Sequence, residues 1–231
     1  TSFDPGFELF ETLRLENGVY PLRSLHLERL QASARALGFA CDMSPLSSLL
    51  ADEAVRWPTG VLRVRLSLTH AGSCRVVATP LDEEQVREWR VTVADETLAA
   101  DDYLLRHKTT ARARYDRALA GLDARPEVFD VIFLNERGEV CEGARSNIFV
   151  ECDDVLLTPP LDCGLLPGVL RRKLLESGRA VERILRLDDL HRSAAVFVGN
   201  ALRGLIPVIV EPGSPRTEFA TNRCPPALPS A

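Results

Sequence analysis

Two spacings of apolar residues predict the elements of the first part of the chain. Apolar and polar positions alternate near the end of residues 7–15, which is typical of a half-buried strand. Asn17 and Gly18 form a tight-turn signal, so residues 19–22 are predicted to return as the partner strand of a hairpin. Leucine and alanine then recur at helical spacing up to Gly38, which is predicted to end that helix. A second helix and two strands are predicted over residues 44–56, 61–68 and 74–79.

The second part of the chain has longer apolar runs. A polar, charged stretch at residues 80–88 is predicted to precede it as a linker. The nearly unbroken apolar run at 128–134 predicts a buried strand, and a helix is predicted before it over residues 110–122. The remaining predictions are strands at 89–94, 139–142, 146–150, 156–157 and 194–198, and a helix at 169–176.

These elements predict an α+β chain with two domains. The domains are predicted at residues 1–79 and 89–210, joined by the linker at 80–88. Residues 211–231 contain five prolines and almost no periodicity, which predicts a disordered tail.

The composition argues against several classes of function. The chain has 231 residues and a formal net charge of -5, with no basic block, so a nucleic-acid partner is not expected. No apolar run approaches the roughly 18 residues that a membrane span needs, so a cytoplasmic protein without a membrane partner is expected. The six cysteines are scattered without a C-x-x-C pair, and no metal-ligand spacing is present, which predicts reduced thiols and no metal site.

Lys108 is the first candidate for chemistry. It lies among Arg106, Arg112 and Arg114, and cationic neighbours tend to lower the pKa of a lysine. A neutral lysine amine is the nucleophile that forms a Schiff base with a carbonyl compound or with pyridoxal phosphate. The alternative is a lysine that only solvates the start of a helix, because charge runs usually lie on the surface.

Three other stretches suggest a site for a phosphorylated, heteroaromatic ligand. Glu142 follows a predicted hairpin, where a carboxylate can keep a heteroaromatic nitrogen protonated. Pro167 and Gly168 open a helix and residues 199–201 follow a strand, so both places offer backbone N–H groups to a phosphate. Arg29, on the first helix, is a candidate to neutralise that phosphate. Each stretch is also compatible with a turn glutamate, an ordinary cap or a surface arginine.

The order of these stretches along the chain resembles the fold-type IV pyridoxal-phosphate enzymes, the class IV aminotransferase family. The resemblance covers residues 7–208, and its most specific pieces are Glu142-Gly-Ala-Arg-Ser-Asn-Ile-Phe, Leu165-Leu-Pro-Gly-Val-Leu-Arg and Asn200-Ala-Leu-Arg-Gly-Leu-Ile-Pro. It implies a small N-terminal α/β sandwich followed by a larger barrel-like domain with helices. It also implies a homodimer that acts on a small-molecule substrate.

The resemblance implies roles for individual residues. Lys108 matches the lysine that forms the Schiff base and also moves the proton. Glu142 matches the acid that binds the pyridine nitrogen, and Arg29 matches the arginine that binds the phosphate. The other residues implied at the cofactor, pyridoxal 5'-phosphate, are Ser146, Asn147, Gly168, Val169, Leu170, Asn200 and Ala201. Phe10, Thr12 and Arg14 match the strand that faces the substrate. The candidates to bind the two carboxylates of the substrate are Arg14 and Arg112.

Three positions favour one activity within the family, that of 4-amino-4-deoxychorismate lyase, which releases 4-aminobenzoate and pyruvate in folate synthesis. Family aminotransferases often have tyrosine where this chain has Ala113, threonine where it has Leu170, and a hydroxyl-bearing turn where residues 199–202 read Gly-Asn-Ala-Leu, as in the lyases. Two alternatives stay open: an aminotransferase of branched-chain or D-amino acids, and a non-catalytic domain that binds the cofactor for a synthase partner. The start of the chain also resembles the lyase-like domain of bifunctional synthase–lyase proteins.

Overall fold

A three-stranded antiparallel sheet organises the first part of the chain. The computed structural model describes residues 6–81 and 88–212. The sheet has its strands in chain order, and its first two strands pair along their full length. The elements of this part are β1 (Leu9–Glu16), α1 (Arg23–Leu37), α2 (Met43–Arg56), β2 (Val61–Leu68) and β3 (Cys74–Pro80).

The alternation along β1 and β2 gives this sheet two different faces. One face carries Leu13 and Val64, which are paired across the strands and pack with residues of α1 and α2 in a buried core. The opposite face carries Phe10, Thr12 and Arg65, with Thr12 paired to Arg65. Because the first face is filled by helices, the second face is left to line a cavity.

The predicted hairpin after β1 is correct only at its turn. Residues 17 and 18 have positive φ angles, and Glu16 and Val19 exchange two backbone hydrogen bonds across them. The predicted return strand over residues 19–22 is wrong, since Pro21 has no N–H to donate to a ladder and α1 begins directly afterwards. β1 pairs with β2 instead.

The second part of the chain is a barrel closed by six strands. Its elements are β4 (Trp89–Val93), α3 (Ala113–Ala120), β5 (Val128–Leu134), β6 (Val140–Gly143), β7 (Asn147–Cys152), β8 (Val155–Thr158), α4 (Val169–Glu176), β9 (Ala180–Glu182), α5 (Leu187–Arg192), β10 (Val196–Asn200) and β11 (Gly204–Val210). The order β10-β11-β4-β5-β6-β7 closes on itself because β7 also pairs with β10. β8 and β9 continue the sheet beyond β7. The predicted α+β class, a small helix-and-sheet unit before a barrel-like part, is confirmed.

Three elements of the barrel part were not predicted from the sequence: β9, α5 and β11. β11 is the most consequential, because it lies between β10 and β4 and completes the ring of strands. Its apolar run contains Pro207, and a proline inside a run argues against a strand. The observed register places Pro207 opposite Phe197 of β10.

The helix predicted over residues 110–122 is shorter, and this correction bears on the site. The residues before α3 are held in extended pairing with β1: Leu9 forms a bridge with Thr109, and the Thr110 N–H donates to the Glu8 carbonyl at 2.9 Å. The helix therefore begins only after Arg112, which is at its N-cap position.

Two predictions fall partly outside the described residues. Residues 82–87 of the predicted linker and residues 213–231 of the predicted tail are not among them, and Pro80 ends β3. The boundaries of the two domains stay a prediction. Within the described ranges, no helix is long and apolar enough to cross a membrane.

Candidate active site

A cavity of about 800 Å³ lies between the three-stranded sheet and the barrel, a volume that suits a small-molecule ligand. Most of the site residues predicted from the sequence are on its wall: Phe10, Thr12, Arg29, Lys108, Arg112, Glu142, Ser146, Asn147, Gly168, Val169, Asn200 and Ala201. The described structure thus brings together residues that are spread over almost 200 positions. Arg14 and Leu170 lie outside this wall.

Lys108 reaches the cavity from the extended segment beside β1. Its carbonyl oxygen accepts a hydrogen bond from the Phe10 N–H at 3.0 Å, and the bridge between Thr109 and Leu9 continues the pairing. Its Nζ lies 4.7 Å from the centre of the Phe10 ring. The lysine is therefore held by a sheet edge rather than by the helix that follows it.

Burial lowers the pKa of Lys108 to about 7, and Arg29 and Arg112 act in the same direction. The sequence predicted a lowered pKa but assigned it to the neighbouring arginines of the chain. Arg112 is one of those neighbours, whereas burial and Arg29, which comes from α1, are the larger causes. A substantial fraction of the amine is consequently neutral at pH 7, which is the form that attacks a carbonyl group.

Glu142, at the end of β6, has its carboxylate bound on both sides. Oε1 accepts a hydrogen bond from the Tyr115 hydroxyl at 2.7 Å, and Oε2 accepts one from the Leu166 N–H at 3.0 Å. Burial raises the pKa of Glu142 to about 7, against the effect of these two hydrogen bonds and of Lys108. Lys108 and Glu142 thus interact electrostatically across one cavity, so one ligand can contact both.

Arg29 is fixed at the cavity by a buried ion pair. Its Nε and Nη2 donate to the two carboxylate oxygens of Glu11 at 2.8 and 2.6 Å, and His26 Nδ1 lies 2.7 Å from one of those oxygens. Burial would raise the pKa of Glu11, but Arg29 and His26 outweigh it and lower this pKa to about 2. Nη1 donates to the Pro167 carbonyl at 3.1 Å. Among the described residues, the other two guanidinium N–H groups have no acceptor and can bind an anion.

The N-terminus of α4 lies beside Arg29 and offers a second feature that binds anions. Gly168 is the N-cap residue and lies on the cavity wall with Val169. The first N–H groups of the helix, including those of Val169 and Leu170, have no partner within it, and the helix dipole favours an anion there. Leu170 can offer the cavity only its backbone, because its side chain packs against a separate cluster that contains Phe149.

Ser146 and Asn147 shape the site through bonds to the protein. The Asn147 amide nitrogen donates to the Leu166 carbonyl at 3.0 Å, and its Oδ1 lies so close to Gly168 that a Cβ there would collide with it. The Ser146 hydroxyl donates to Oδ2 of the buried Asp130 at 2.5 Å. These side chains therefore hold the segment before α4 and the hairpin of Glu142 in place.

Asn200 has a similar part in the turn after β10. Its Oδ1 accepts hydrogen bonds from the N–H groups of Leu202 and Arg203, both at 3.0 Å, and its Nδ2 donates to the Arg145 carbonyl at 3.1 Å. The Asn200 side chain thus fixes the turn that brings Ala201 to the cavity wall.

Two of the cavity-wall residues that sequence reasoning missed bear on the chemistry of the site, Tyr115 and Arg65. No local signal identifies Tyr115, because its contact with Glu142 depends on how α3 packs against the barrel. Arg65 had a usable signal: it alternates with buried residues of β2, so it must lie on the face opposite the core.

Arg14 is placed beside the cavity wall rather than on it. Its Nε lies 3.0 Å from a carboxylate oxygen of Glu16, and Nη1 donates to the Leu202 carbonyl at 3.3 Å. Its position as a ligand for a substrate carboxylate stays a prediction.

Comparison with known proteins leads to a single family. The profile of the family described as "Amino-transferase class IV" matches residues 8–209. A putative aminodeoxychorismate lyase from Schizosaccharomyces pombe is 30% identical over 200 residues, 84% of this chain and 86% of that protein. The crystal structure of a putative amino-acid aminotransferase from Mesorhizobium loti has a TM-score of 0.83 and 43% identity, covering 89% of this chain and 100% of that one. A hypothetical aminotransferase from Mycobacterium tuberculosis in its PLP-bound form has a TM-score of 0.80 and 25% identity, over 90% of this chain and 84% of that one.

The matched residues 8–209 include every residue assigned above to the cavity wall and both sheets except Val210, the last residue of β11. The similar proteins have names from two reaction types, a lyase and aminotransferases, so family membership does not by itself select the reaction. The partly buried lysine, the buried glutamate and the free N-terminus of α4 suit the binding of pyridoxal phosphate. The chain therefore belongs to the class IV aminotransferase family of pyridoxal-phosphate enzymes.

Proposed function

We propose that the protein is a 4-amino-4-deoxychorismate lyase that releases 4-aminobenzoate and pyruvate. The observation that carries this proposal is the set of arginines around the same cavity as Lys108, which suits a substrate with two carboxylates: Arg63, Arg65, Arg112, Arg114 and Arg203. The Schizosaccharomyces pombe relative, which this chain matches over most of both lengths, has the name of such a lyase.

The residues present fit pyridoxal phosphate along the whole cavity. Arg29 and the first N–H groups of α4 would hold the phosphate, and Glu142 would bind the pyridine nitrogen. Lys108 would bind the aldehyde carbon covalently, and its lowered pKa makes the neutral amine available for this. When bound, the cofactor supplies an electron sink for the charge that proton removal creates.

The lysine then has a second task, which is to move a proton. In the proposed reaction the amine of the substrate would displace Lys108 from the aldehyde carbon. The freed Lys108 Nζ would then take the proton from the amine-bearing carbon of the substrate. The bond to the enolpyruvyl oxygen breaks, the ring becomes aromatic, and the released enolpyruvate takes up a proton to become pyruvate. Atoms balance without water or an oxidant, because the substrate divides into 4-aminobenzoate and pyruvate.

Two arginines are the best-placed ligands for the carboxylates of the substrate. Arg65 has its guanidinium 3.9 Å from the centre of the Phe10 ring and, within the described residues, no carboxylate within ion-pair distance. Arg112 is held by Asp116 at 2.9 Å and by the Ala144 carbonyl at 2.7 Å. Arg65 is the more available of the two, and this adds a residue to those expected from the sequence.

Arg65→Gln is expected to raise KM for aminodeoxychorismate by about 10- to 100-fold with little change in kcat, since one hydrogen-bonded charge contact is lost. Steady-state kinetics measures both constants. Arg75→Gln is the matched control, because Arg75 is an exposed arginine on β3 that does not line the cavity. Equal KM values for the two variants would contradict the assignment.

Gly168→Ala is expected to weaken pyridoxal-phosphate binding about tenfold or more, because the new Cβ collides with Asn147 Oδ1 and displaces the start of α4. The overpacking should also cost about 1–3 kcal/mol of stability. Titration of the apoprotein by absorbance measures the affinity. Pyridoxal, which lacks the phosphate, should lose much less affinity than pyridoxal phosphate. Gly121→Ala, at φ -65° and away from the cavity, serves as the control.

The second candidate is an amino-acid aminotransferase, which is favoured by the 43% identity with the Mesorhizobium loti protein of that name. A single assay separates the candidates. The holoenzyme is incubated with aminodeoxychorismate alone and, separately, with leucine or D-glutamate and a 2-oxo acid. Equimolar 4-aminobenzoate and pyruvate in the first mixture support the lyase. Amino transfer in the second mixture, with no 4-aminobenzoate in the first, would reject it, and a bound cofactor without turnover in either would favour a non-catalytic domain.

A further inference from the structure

Tyr115 is fixed against the buried carboxylate of the site. Its hydroxyl donates to Glu142 Oε1 at 2.7 Å, and its ring packs edge-on against Phe133 with centroids 5.1 Å apart. The guanidinium of Arg112 lies 5.5 Å from the ring centre. Since the ring is held by these neighbours, the direction of the hydroxyl is set by packing as well as by its hydrogen bond.

The environment of Glu142 makes its ionisation depend on such donors. Burial and the nearby carboxylate of Asp130 favour the protonated acid, whereas Tyr115, the Leu166 N–H and Lys108 favour the carboxylate. A protonated acid lacks the negative charge that stabilises a pyridinium ring. Loss of one of these hydrogen bonds would therefore shift Glu142 toward the protonated acid.

Tyr115 itself stays a donor over the working pH range. Burial raises the pKa of Tyr115 far above its ordinary value, and Glu142 acts in the same direction. Arg114 opposes this shift and Cys141 adds slightly to it. The phenol proton thus remains on Tyr115 while the carboxylate accepts the hydrogen bond.

We propose that Tyr115 is a positioning residue that keeps Glu142 ionised and aimed at the cofactor ring, so that the shared proton resides on the pyridine nitrogen. The hydroxyl acts through Glu142 and does not touch the reacting atoms. A carboxylate oxygen has more than one lone pair, so Glu142 can accept from Tyr115 and from the ring nitrogen together. This inference rests on the proposed role of Glu142 toward the ring.

The test uses holoenzyme reconstituted with pyridoxal phosphate that carries ¹⁵N in the ring. In Tyr115→Phe, the ring ¹⁵N chemical shift near pH 7.5 should move toward the value of unprotonated pyridine. The acidic limb of kcat/KM should move up by about 1–2 pH units, the size of a lost hydrogen bond to a charged group. Tyr103→Phe is the matched control, because Tyr103 is 63% exposed and off the cavity wall.

A second variant guards against a purely structural effect. Site-specific 3-fluorotyrosine at position 115 keeps the ring and the hydroxyl but makes the phenol a stronger donor. It should move the acidic limb to lower pH, opposite to Tyr115→Phe. If Tyr115→Phe acts only through packing, its melting temperature falls while its ring ¹⁵N shift stays at the wild-type value, and this result overturns the proposal.

The variant Glu142→Gln tests the proposed contact between Glu142 and the ring nitrogen by itself. A failure of that role can then be distinguished from a failure of the inference about Tyr115. If that variant alters the ring ¹⁵N shift while Tyr115→Phe and Tyr103→Phe both match the wild type, only the inference about Tyr115 is rejected. If Glu142→Gln also matches the wild type, the carboxylate does not bind the ring nitrogen, and both ideas fall.

Discussion

Replacing Lys108 with alanine is expected to lower kcat by about 10⁴-fold and to abolish the absorbance band of the covalently bound cofactor. The variant loses the covalent attachment and the group proposed to move the proton, and positioned proton transfer alone contributes up to about 10⁴-fold. Absorbance spectroscopy and a 4-aminobenzoate assay measure the two losses. Non-covalent affinity for the cofactor should persist, because Arg29 and α4 are unchanged.

Lys173→Ala is the matched control for that experiment. The sequence contains two lysines, Lys108 and Lys173, and Lys173 is an exposed residue of α4. The control removes the same side chain but should keep both the absorbance band and the activity. Retention of the band in Lys108→Ala, or its loss in Lys173→Ala, would contradict the assignment of Lys108.

The pKa of Lys108 also predicts how cofactor capture depends on pH. Burial lowers this pKa to about 7, so the neutral amine is a minor species at pH 6 and the major one at pH 8. The rate at which apoprotein captures pyridoxal phosphate should rise about tenfold per pH unit below 7 and level off above it. Stopped-flow absorbance between pH 5.5 and 8.5 measures this rate. A rate that still rises about tenfold per pH unit at pH 8.5, as an amine with the ordinary pKa of 10.5 requires, would contradict the lowered pKa of Lys108.

Glu142→Gln is expected to lower kcat by about 10²- to 10³-fold, the scale found when one preorganised electrostatic contact is removed. A neutral amide cannot stabilise a positive pyridinium ring, so the electron sink weakens while the phosphate contacts remain. KM should change much less than kcat. Steady-state kinetics with aminodeoxychorismate measures both constants.

Glu139→Gln is the control for the loss of a buried glutamate. Glu139 precedes β6, lies off the cavity wall, and has its carboxylate bound by Asn135 at 2.8 Å and by Arg137 at 2.7 Å. Its replacement should lower stability and leave kcat within a few-fold. A similar loss of kcat in both variants would mean that the hairpin, and not the carboxylate of Glu142, is needed.

Local signals in the sequence predicted much of the fold. α1 ends before Gly38, whose φ of 73° a residue with a Cβ rarely adopts, and α4 has the predicted bounds. β11 was missed because Pro207 interrupts its apolar run, and its parallel pairing with β4, more than 100 positions earlier in the chain, has no local signal. Closure of the barrel depends on such non-local pairing, which periodicity cannot show.

The candidate site, like the fold, could be predicted from the sequence only in part. The resemblance identified positions such as Lys108 and Glu142, which the structure then brings to one cavity. It did not give the cause of the lowered lysine pKa, since burial and Arg29 act only once α1 packs near the barrel. Tyr115 lies two positions after Ala113, where family aminotransferases often have a tyrosine, and its partner is Glu142. That contact depends on the packing of α3, not on spacing along the chain.

Reduction of the holoenzyme with borohydride, followed by peptide mass mapping, tests the central claim most directly. The reduction makes the bond between cofactor and lysine permanent, and only two lysines exist to receive it. We expect the cofactor mass on the peptide that contains Lys108, with none on the peptide that contains Lys173. Cofactor on Lys173, or on neither lysine in a saturated holoenzyme, would contradict covalent attachment of pyridoxal phosphate at position 108.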